Sequence, residues 1–253
     1  MKSSNWPGIN YRIYELSKRE RLIFVAKGVL LDAVFSFVFY RSIGVFLVFL
    51  PLAVCYPLFM RKELVKRRTE ELRMQFKDAI TALSACLNAG YSIENGFVEA
   101  LRETDRVYGK NSMISGEIRL LLHKIHLNRT VEEALKDFAE RSGIDDVKSF
   151  ADVFLAARES GGELMKIIGK TTDIIGEKIR IQSEISTATA SRRLEQKVMS
   201  AVPMGIVFYM ELTSPGFFDV LYTTALGRII MTGCLVVYLA SMAAVEKILE
   251  IPV

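Results

Sequence analysis

Apolar residues in this chain are concentrated in two blocks, at about residues 22–60 and 198–247, and most charged residues lie between them. Each block has room for two membrane crossings, because a helix needs about 20 apolar residues to cross roughly 30 Å of hydrocarbon. About twenty polar residues precede the first block, and a cleavable signal peptide would have one short apolar core instead of two successive runs. The sequence therefore predicts an all-α integral membrane protein with a transmembrane hairpin at each end of a charged middle domain.

Four segments are predicted to cross the membrane, two in each hairpin. The first pair covers residues 22–40 and 42–60, and the second pair covers 198–213 and 229–245. Segment 198–213 is short and contains Pro203, although bilayer thinning or packing against neighbours can accommodate a short span. Four crossings return the chain to its starting side, and an odd number does not fit the charge distribution.

Asp32 lies deep in the first predicted span. An acidic side chain there costs about 2.5–3.5 kcal/mol on insertion scales. Two interpretations remain open: a polar contact with another helix or a partner subunit, or a shift of the helix that places Asp32 in a local polar niche. Glu211 in the third segment is a second candidate for a contact within the membrane.

Lysine and arginine lie on one side of the predicted spans. Three precede the first hairpin, five follow it and three precede the second hairpin, whereas the hairpin turns contain only Arg41 and Arg228. By the positive-inside rule, both termini and the middle domain face the cytoplasm. The predicted organisation is a cytoplasmic segment at 1–21, a hairpin at 22–60, a cytoplasmic helical domain at 61–197, a second hairpin at 198–247 and a cytoplasmic tail at 248–253.

The middle domain has the apolar spacing of amphipathic helices. Its first apolar face consists of Leu72, Phe76, Ile80, Leu83 and Leu87, at intervals of three or four residues. The helix is predicted to end at Gly90, with Ser92 as the N-cap of the next one. No strand-like alternation of useful length occurs. We therefore predict an antiparallel bundle of about five or six helices, the last of which continues into the third membrane span.

The same helix–turn–helix pattern occurs twice in the middle domain. Residues 128–135 parallel residues 90–97, 38 positions earlier, and Thr130 with Glu133 matches a capping box. A third break is predicted at residues 160–162. Asp145 and Asp146 follow Gly143 and are interpreted as the cap of the next helix.

No pattern in the chain indicates catalysis, a cofactor or a metal. Gly169-Lys170-Thr171 resembles the end of a phosphate-binding loop, but the earlier glycine is misplaced and the surrounding periodicity is helical. His123 and His126 could share a helix face, yet a metal site needs further ligands, so surface positions are favoured. The three cysteines are far apart and are expected to be reduced. A net charge of +4, spread along the chain, gives little support to nucleic-acid binding.

Three stretches of the middle domain resemble the type II secretion F-domain family, particularly the TadB/TadC-type platform proteins of tight-adherence (Tad) pilus systems. They are residues 76–93 with the Ala89-Gly90-Tyr91-Ser92-Ile93 turn, residues 130–141, and residues 159–164 followed by the charged helix that ends at 190–193. The order and spacing of the three stretches carry the resemblance. Asn128 stands where the family often has glycine, and Gly96 where it often has alanine. The N-terminal hairpin favours a TadB-like over a TadC-like subunit.

The resemblance implies a non-enzymatic assembly platform in the cytoplasmic membrane. Its implied partners are a hexameric secretion ATPase, pilin or pseudopilin, the lipid membrane, and a partner platform subunit or a second copy of the chain. A membrane-anchored signalling or scaffold protein shares the same composition and remains the main alternative. A small transporter ranks last, because few polar residues line the predicted spans.

Seven residues are candidates for partner contact. They lie beside the predicted turns or in the basic cluster after the first hairpin: Tyr91, Glu94, Glu159, Gly161, Gly162, Arg67 and Arg68. A backbone that needs positive φ is the favoured explanation for any single glycine. Topology and attraction to anionic lipid explain the basic cluster without a protein partner.

Overall fold

The computed structural model describes residues 8–12, 16–159, 164–214 and 216–249, and it confirms the all-α fold class. These residues form nine α-helices and no strand. The helices are α1 (Lys18–Tyr40), α2 (Ile43–Asn88), α3 (Ile93–Tyr108), α4 (Met113–His126), α5 (Val131–Ser142), α6 (Asp145–Glu159), α7 (Leu164–Thr213), α8 (Asp219–Thr223) and α9 (Ala225–Leu249).

The chain divides into two compact units. The described residues within 1–15 and 61–181 form one of them, which we call the helical unit. The described residues within 16–60 and 182–253 form the other, which we call the apolar unit. Helices α2 and α7 contribute residues to both. The predicted domain boundaries refer to the membrane and stay predictions.

Three helices of the described chain are long and apolar enough to cross a membrane. They are Lys18–Tyr40, Ile43–Asn88 and Ala225–Val245, which correspond to the first, second and fourth predicted spans. The third predicted span, 198–213, is helical as the last part of α7 but is not among the three. Its apolar run is short because Gln196 and Lys197 precede it and the helix ends at Thr213. The four-span arrangement therefore stays a prediction.

Within the apolar unit, α1 approaches α2 closely at Gly28. A Cβ atom on Gly28 would lie 2.6 Å from the carbonyl oxygen of Ala53, so this approach requires glycine. Helix α1 also contacts α9, where the ring of Phe35 lies 6.1 Å from that of Tyr238. Small residues that allow backbones to approach are typical of helix pairs in membranes.

Six helical segments of the helical unit share one apolar core. The predicted face of α2 is fully buried, and Phe76 makes edge-on contacts with Phe138 and Phe150 at ring distances of 6.0 and 5.7 Å. Helix α7 contributes Ile168 and Ile175 to the same core. The spacing of apolar residues thus identified the buried face of α2 correctly.

The two predicted turns share the same backbone conformation and the same type of helix cap. Ser92 and Thr130 cap α3 and α5, each accepting a hydrogen bond from the backbone N–H three residues on. Two residues before each cap, the chain adopts positive φ, at Gly90 (+87°) and at Asn128 (+61°). Asparagine visits the left-handed region more readily than most residues. This explains how Asn128 can occupy the position where the family that the sequence resembles often has glycine.

Alanine at Gly90 and at Gly116 is expected to change stability in opposite directions. A Cβ atom would meet nothing within 4 Å at either glycine, so neither substitution causes a clash with a neighbouring residue. Gly90→Ala places a side chain at positive φ and should cost about 1–2 kcal/mol. Gly116→Ala lies within α4 and should stabilise by about 0.5–1 kcal/mol. Thermal unfolding of the purified full-length variants measures both, and shifts of the same sign would contradict the turn geometry.

Candidate partner-binding surface

The turn between α2 and α3 holds two of the predicted contact residues. The N–H of Tyr91 donates to the carbonyl of Cys86 (3.1 Å), and that of Gly90 donates to Leu87 (2.9 Å). These two bonds form a Schellman motif, which fixes the chain direction after a helix. The Tyr91 side chain is 50% exposed, and Glu94 is exposed in the first turn of α3. The turn therefore presents an aromatic and an acidic side chain on a rigid backbone.

The structure does not bring the predicted basic residues to this turn. Arg67 and Arg68 lie on α2 about 30 Å from its C-terminal end, at 1.5 Å per residue. Arg67 is exposed and pairs with Glu63 (3.1 Å), whereas the Arg68 guanidinium stacks 4.9 Å from the centre of the Tyr11 ring. Arg68 thus has a contact within the chain, and the predicted contact of Arg67 and Arg68 with a partner stays a prediction.

The remaining candidates lie at the end of α6 or beyond it. Glu159 is the last residue of α6, and its side chain is outside the described part of the chain. Gly161 and Gly162 lie outside the described residues. Their contact with a partner stays a prediction.

A segment before the first span docks on the helical unit, which the sequence did not predict. Tyr11 is 1% exposed, and its hydroxyl donates to Oε1 of Glu117 (3.0 Å). Its backbone N–H donates to the carbonyl of Arg141 (3.0 Å). Burial, together with the charge of Glu117, raises the pKa of the Tyr11 hydroxyl well above its ordinary value, so the group remains a donor. The short segment 8–12 has no periodicity by which its docking could have been predicted.

Glu117 is the centre of a buried polar network. Its carboxylate, 5% exposed, accepts two hydrogen bonds from Arg141, at 2.8 and 2.5 Å. Arg141 also donates through Nε to Asp137 (2.8 Å), which Lys124 contacts as well. Burial alone would raise the pKa of Asp137, but the hydrogen bonds from Lys124 and Arg141 outweigh it and hold that pKa below its ordinary value. The network joins α4, α5 and the segment that contains Tyr11.

Asp146 is the centre of a second polar cluster. The sequence interpreted it as a helix cap, and it does lie in the first turn of α6. Its side chain is nevertheless 4% exposed, pairs with Arg73 of α2 and accepts a hydrogen bond from Lys178 of α7 (2.7 Å). The neighbouring Asp145 is exposed. Asp146 thus joins three helices through charge.

Among the described residues, neither the two histidines nor the Gly169-Lys170-Thr171 sequence forms a metal-binding or phosphate-binding site. The described residues contain no group of three or more metal-ligating side chains, and His123 and His126 are exposed, as predicted. Gly169, Lys170 and Thr171 lie inside α7 and not in a loop.

Residues 79–211 match the family model of type II secretion system (T2SS), protein F, which is more than half of the 253-residue chain. The chain belongs to the T2SS protein F family. Membership indicates a membrane platform protein of type II secretion or type IV pilus-like systems, with membrane assembly machinery as its general class of partner. Family members are generally not enzymes. No curated protein and no solved structure matches the chain.

The match to the protein F family model includes some of the contacts described above and leaves out others. It includes the Tyr91–Glu94 turn, Glu117, Arg141 and Asp146. Tyr11 and Arg68 precede it, so the docked N-terminal segment belongs to the part of this chain outside the family match. Assignment to a TadB-like or a TadC-like subgroup stays a prediction.

Proposed function

We propose that this chain is a cytoplasmic-membrane platform of a Tad pilus or related type II secretion machine, and that it couples a hexameric secretion ATPase to the extraction of pilin from the bilayer. The observation that carries the proposal is the length of α7, which is one helix from Leu164 to Thr213. It contributes Ile168 and Ile175 to the core of the helical unit and continues through the predicted third span. A continuous helix that contributes residues to both units can transmit a displacement without an active site.

The membrane arrangement that we propose has four spans, with an antiparallel helical bundle in the cytoplasm between two hairpins and both termini on the cytoplasmic side. Large apolar side chains on the apolar unit support it, because the protein covers few of them. Leu22, Ile43, Val48 and Ile229 are each more than 70% exposed. Exposed apolar surface on this scale indicates contact with lipid or with another membrane protein.

The turn with Tyr91 and Glu94 is the surface that we assign to the ATPase. An exposed aromatic ring supplies contact area at low entropic cost, and Tyr is enriched at interfaces. Glu159, Gly161 and Gly162 are proposed to extend this surface. Arg67 and Arg68 are proposed to contact anionic lipid or the partner platform subunit, which is a TadC-like protein or a second copy.

Photo-crosslinking in living cells tests this function. A crosslinking amino acid at Tyr91 is expected to capture a secretion ATPase, identified by mass spectrometry. Val107, near the C-terminal end of α3 and far from the turn, is the matched control, because its exposed fraction of 60% is close to the 50% of Tyr91. A folded, membrane-located chain that captures only unrelated signalling proteins at position 91 would favour the membrane-anchored scaffold.

A further inference from the structure

The apolar unit contains an open cavity of about 270 Å³ lined by residues of α1, α2 and α9. Its walls are mainly aliphatic and aromatic side chains, among them Leu31, Phe35, Phe49 and Leu239. Asp32 of α1 is the one charged residue in the described wall. The cavity thus combines an apolar surface with a single carboxylate.

The Asp32 carboxylate has an unfilled hydrogen-bonding position. Its Oδ2 atom is buried and accepts no hydrogen bond from the described residues. Two other polar side chains in the wall already have partners: Ser36 Oγ donates to the carbonyl of Ser42 (3.0 Å), and the Tyr40 hydroxyl is bonded to Thr232 Oγ1 (3.0 Å). A buried acceptor without a donor is destabilising, and this cost is greatest for a charged group in hydrocarbon.

The cations within and between the predicted spans have other contacts. The Lys27 ammonium lies over the Phe24 ring at 6.0 Å, on the same helix as Asp32. Arg41 binds the carboxylate of Glu211 at 2.7 Å and that of Asp219 at 3.2 Å. These contacts account for Glu211 within the chain and leave Asp32 without a cationic partner among them.

We propose that the cavity at Asp32 binds the cationic nitrogen of a transmembrane helix from a partner protein. The carboxylate would accept a charge-assisted hydrogen bond, which is shorter and stronger than a neutral one. The apolar wall would contact the aliphatic side chains of the same helix. In the membrane, acidic residues are found paired or facing a cavity, and they mark contacts with substrates or partners. This inference rests on the proposed function, because it requires a partner protein that is embedded in the membrane.

The test uses the full-length chain in vesicles of phosphatidylethanolamine and phosphatidylglycerol. Two fluorescent transmembrane peptides of leucine and alanine serve as probes, one with a single central lysine and the other with leucine at that position. Energy transfer to a labelled chain gives the affinity. We expect the lysine peptide to bind about tenfold more tightly, the difference that a single charge-assisted hydrogen bond would give.

Asp32→Asn keeps the size of the side chain and removes its charge, so it should abolish this preference. Asp219→Asn is the control, because Asp219 is an exposed acid of the same unit that already pairs with Arg41. This control should keep the preference. Size-exclusion chromatography and circular dichroism establish that both variants are folded.

Equal affinity of the two peptides for the unmodified chain would overturn the inference, as would an unchanged preference in Asp32→Asn. Energy transfer between two labelled copies that is lost in Asp32→Asn would assign the cavity to a second copy of the chain and would also overturn the inference. The platform function fails separately, through the absence of ATPase capture at Tyr91. The two failures are therefore distinguishable.

Discussion

Asp146→Ala is expected to lower the free energy of unfolding of the helical unit by about 3–5 kcal/mol. It removes the buried partner of the Arg73 guanidinium and leaves only the exposed Glu70, at 3.6 Å. The Arg73 side chain is only 12% exposed, so water cannot replace the lost carboxylate. The Lys178 ammonium is half exposed and should contribute little to the loss. A change of this size should lower the unfolding temperature of the full-length chain by about 10 °C or more.

The neighbouring residue provides a matched control for Asp146→Ala. Asp145 has the same charge and lies in the same first turn of α6, but it is exposed. Asp145→Ala should therefore cost only the helix-dipole contribution, about 0.3–1 kcal/mol. A double variant, Arg73→Met with Asp146→Leu, should recover most of the loss, since apolar residues can replace a buried ion pair. Equal losses for Asp145→Ala and Asp146→Ala would show that the buried pair is not the cause.

Glu117→Ala is expected to have an effect of similar size and also to release the N-terminal segment. It removes the acceptor of two hydrogen bonds from Arg141 and of one from the Tyr11 hydroxyl. We expect a loss of about 3–5 kcal/mol. Hydrogen exchange should show faster exchange of the Tyr11 amide, which is bonded to the Arg141 carbonyl in the intact chain.

Two further variants complete this test: one removes only the charge of Glu117, and the other removes an exposed acid as a control. Glu117→Gln keeps a hydrogen-bond acceptor and should lose less than Glu117→Ala. Glu103→Ala removes an exposed acid that pairs with Arg106 on the surface of α3, and it should change stability by less than about 1 kcal/mol. If Glu117→Ala unfolded the chain no more easily than Glu103→Ala, the network would have no role in stability.

Local features of the helices were predictable because they depend on neighbours in sequence. The apolar face from Leu72 to Leu87 and the caps at Ser92 and Thr130 follow from spacing and side-chain chemistry. Hydropathy identified the three helices that are long and apolar enough to cross a membrane. The continuity of α2 from Ile43 to Asn88 did not follow from them, since a charged stretch after residue 60 interrupts the apolar pattern. Lysine, arginine and glutamate are nevertheless good helix formers, so the helix continues through that stretch.

The polar networks could not be predicted, because their partners are distant in sequence. Glu117 and Arg141 are 24 residues apart, and Tyr11 and Glu117 are 106 apart. Such pairs depend on how helices pack, which a single sequence does not specify. The same reason explains why the stacking of Arg68 on Tyr11 could not be predicted. Exposure at Tyr91 and Glu94 agrees with the predicted surface, and their partner awaits the crosslinking experiment.

The side of the membrane on which Tyr91 lies is the most direct test of the platform function, because a secretion ATPase can reach only the cytoplasmic side. The measurement uses a chain in which Cys55, Cys86 and Cys234 are replaced by serine, with one cysteine introduced at Tyr91 or at Ser214. A membrane-impermeant maleimide is applied while the cytoplasmic membrane is intact. We predict labelling of Ser214→Cys at once and of Tyr91→Cys only after permeabilisation. Labelling of Tyr91→Cys before permeabilisation would contradict the proposed function.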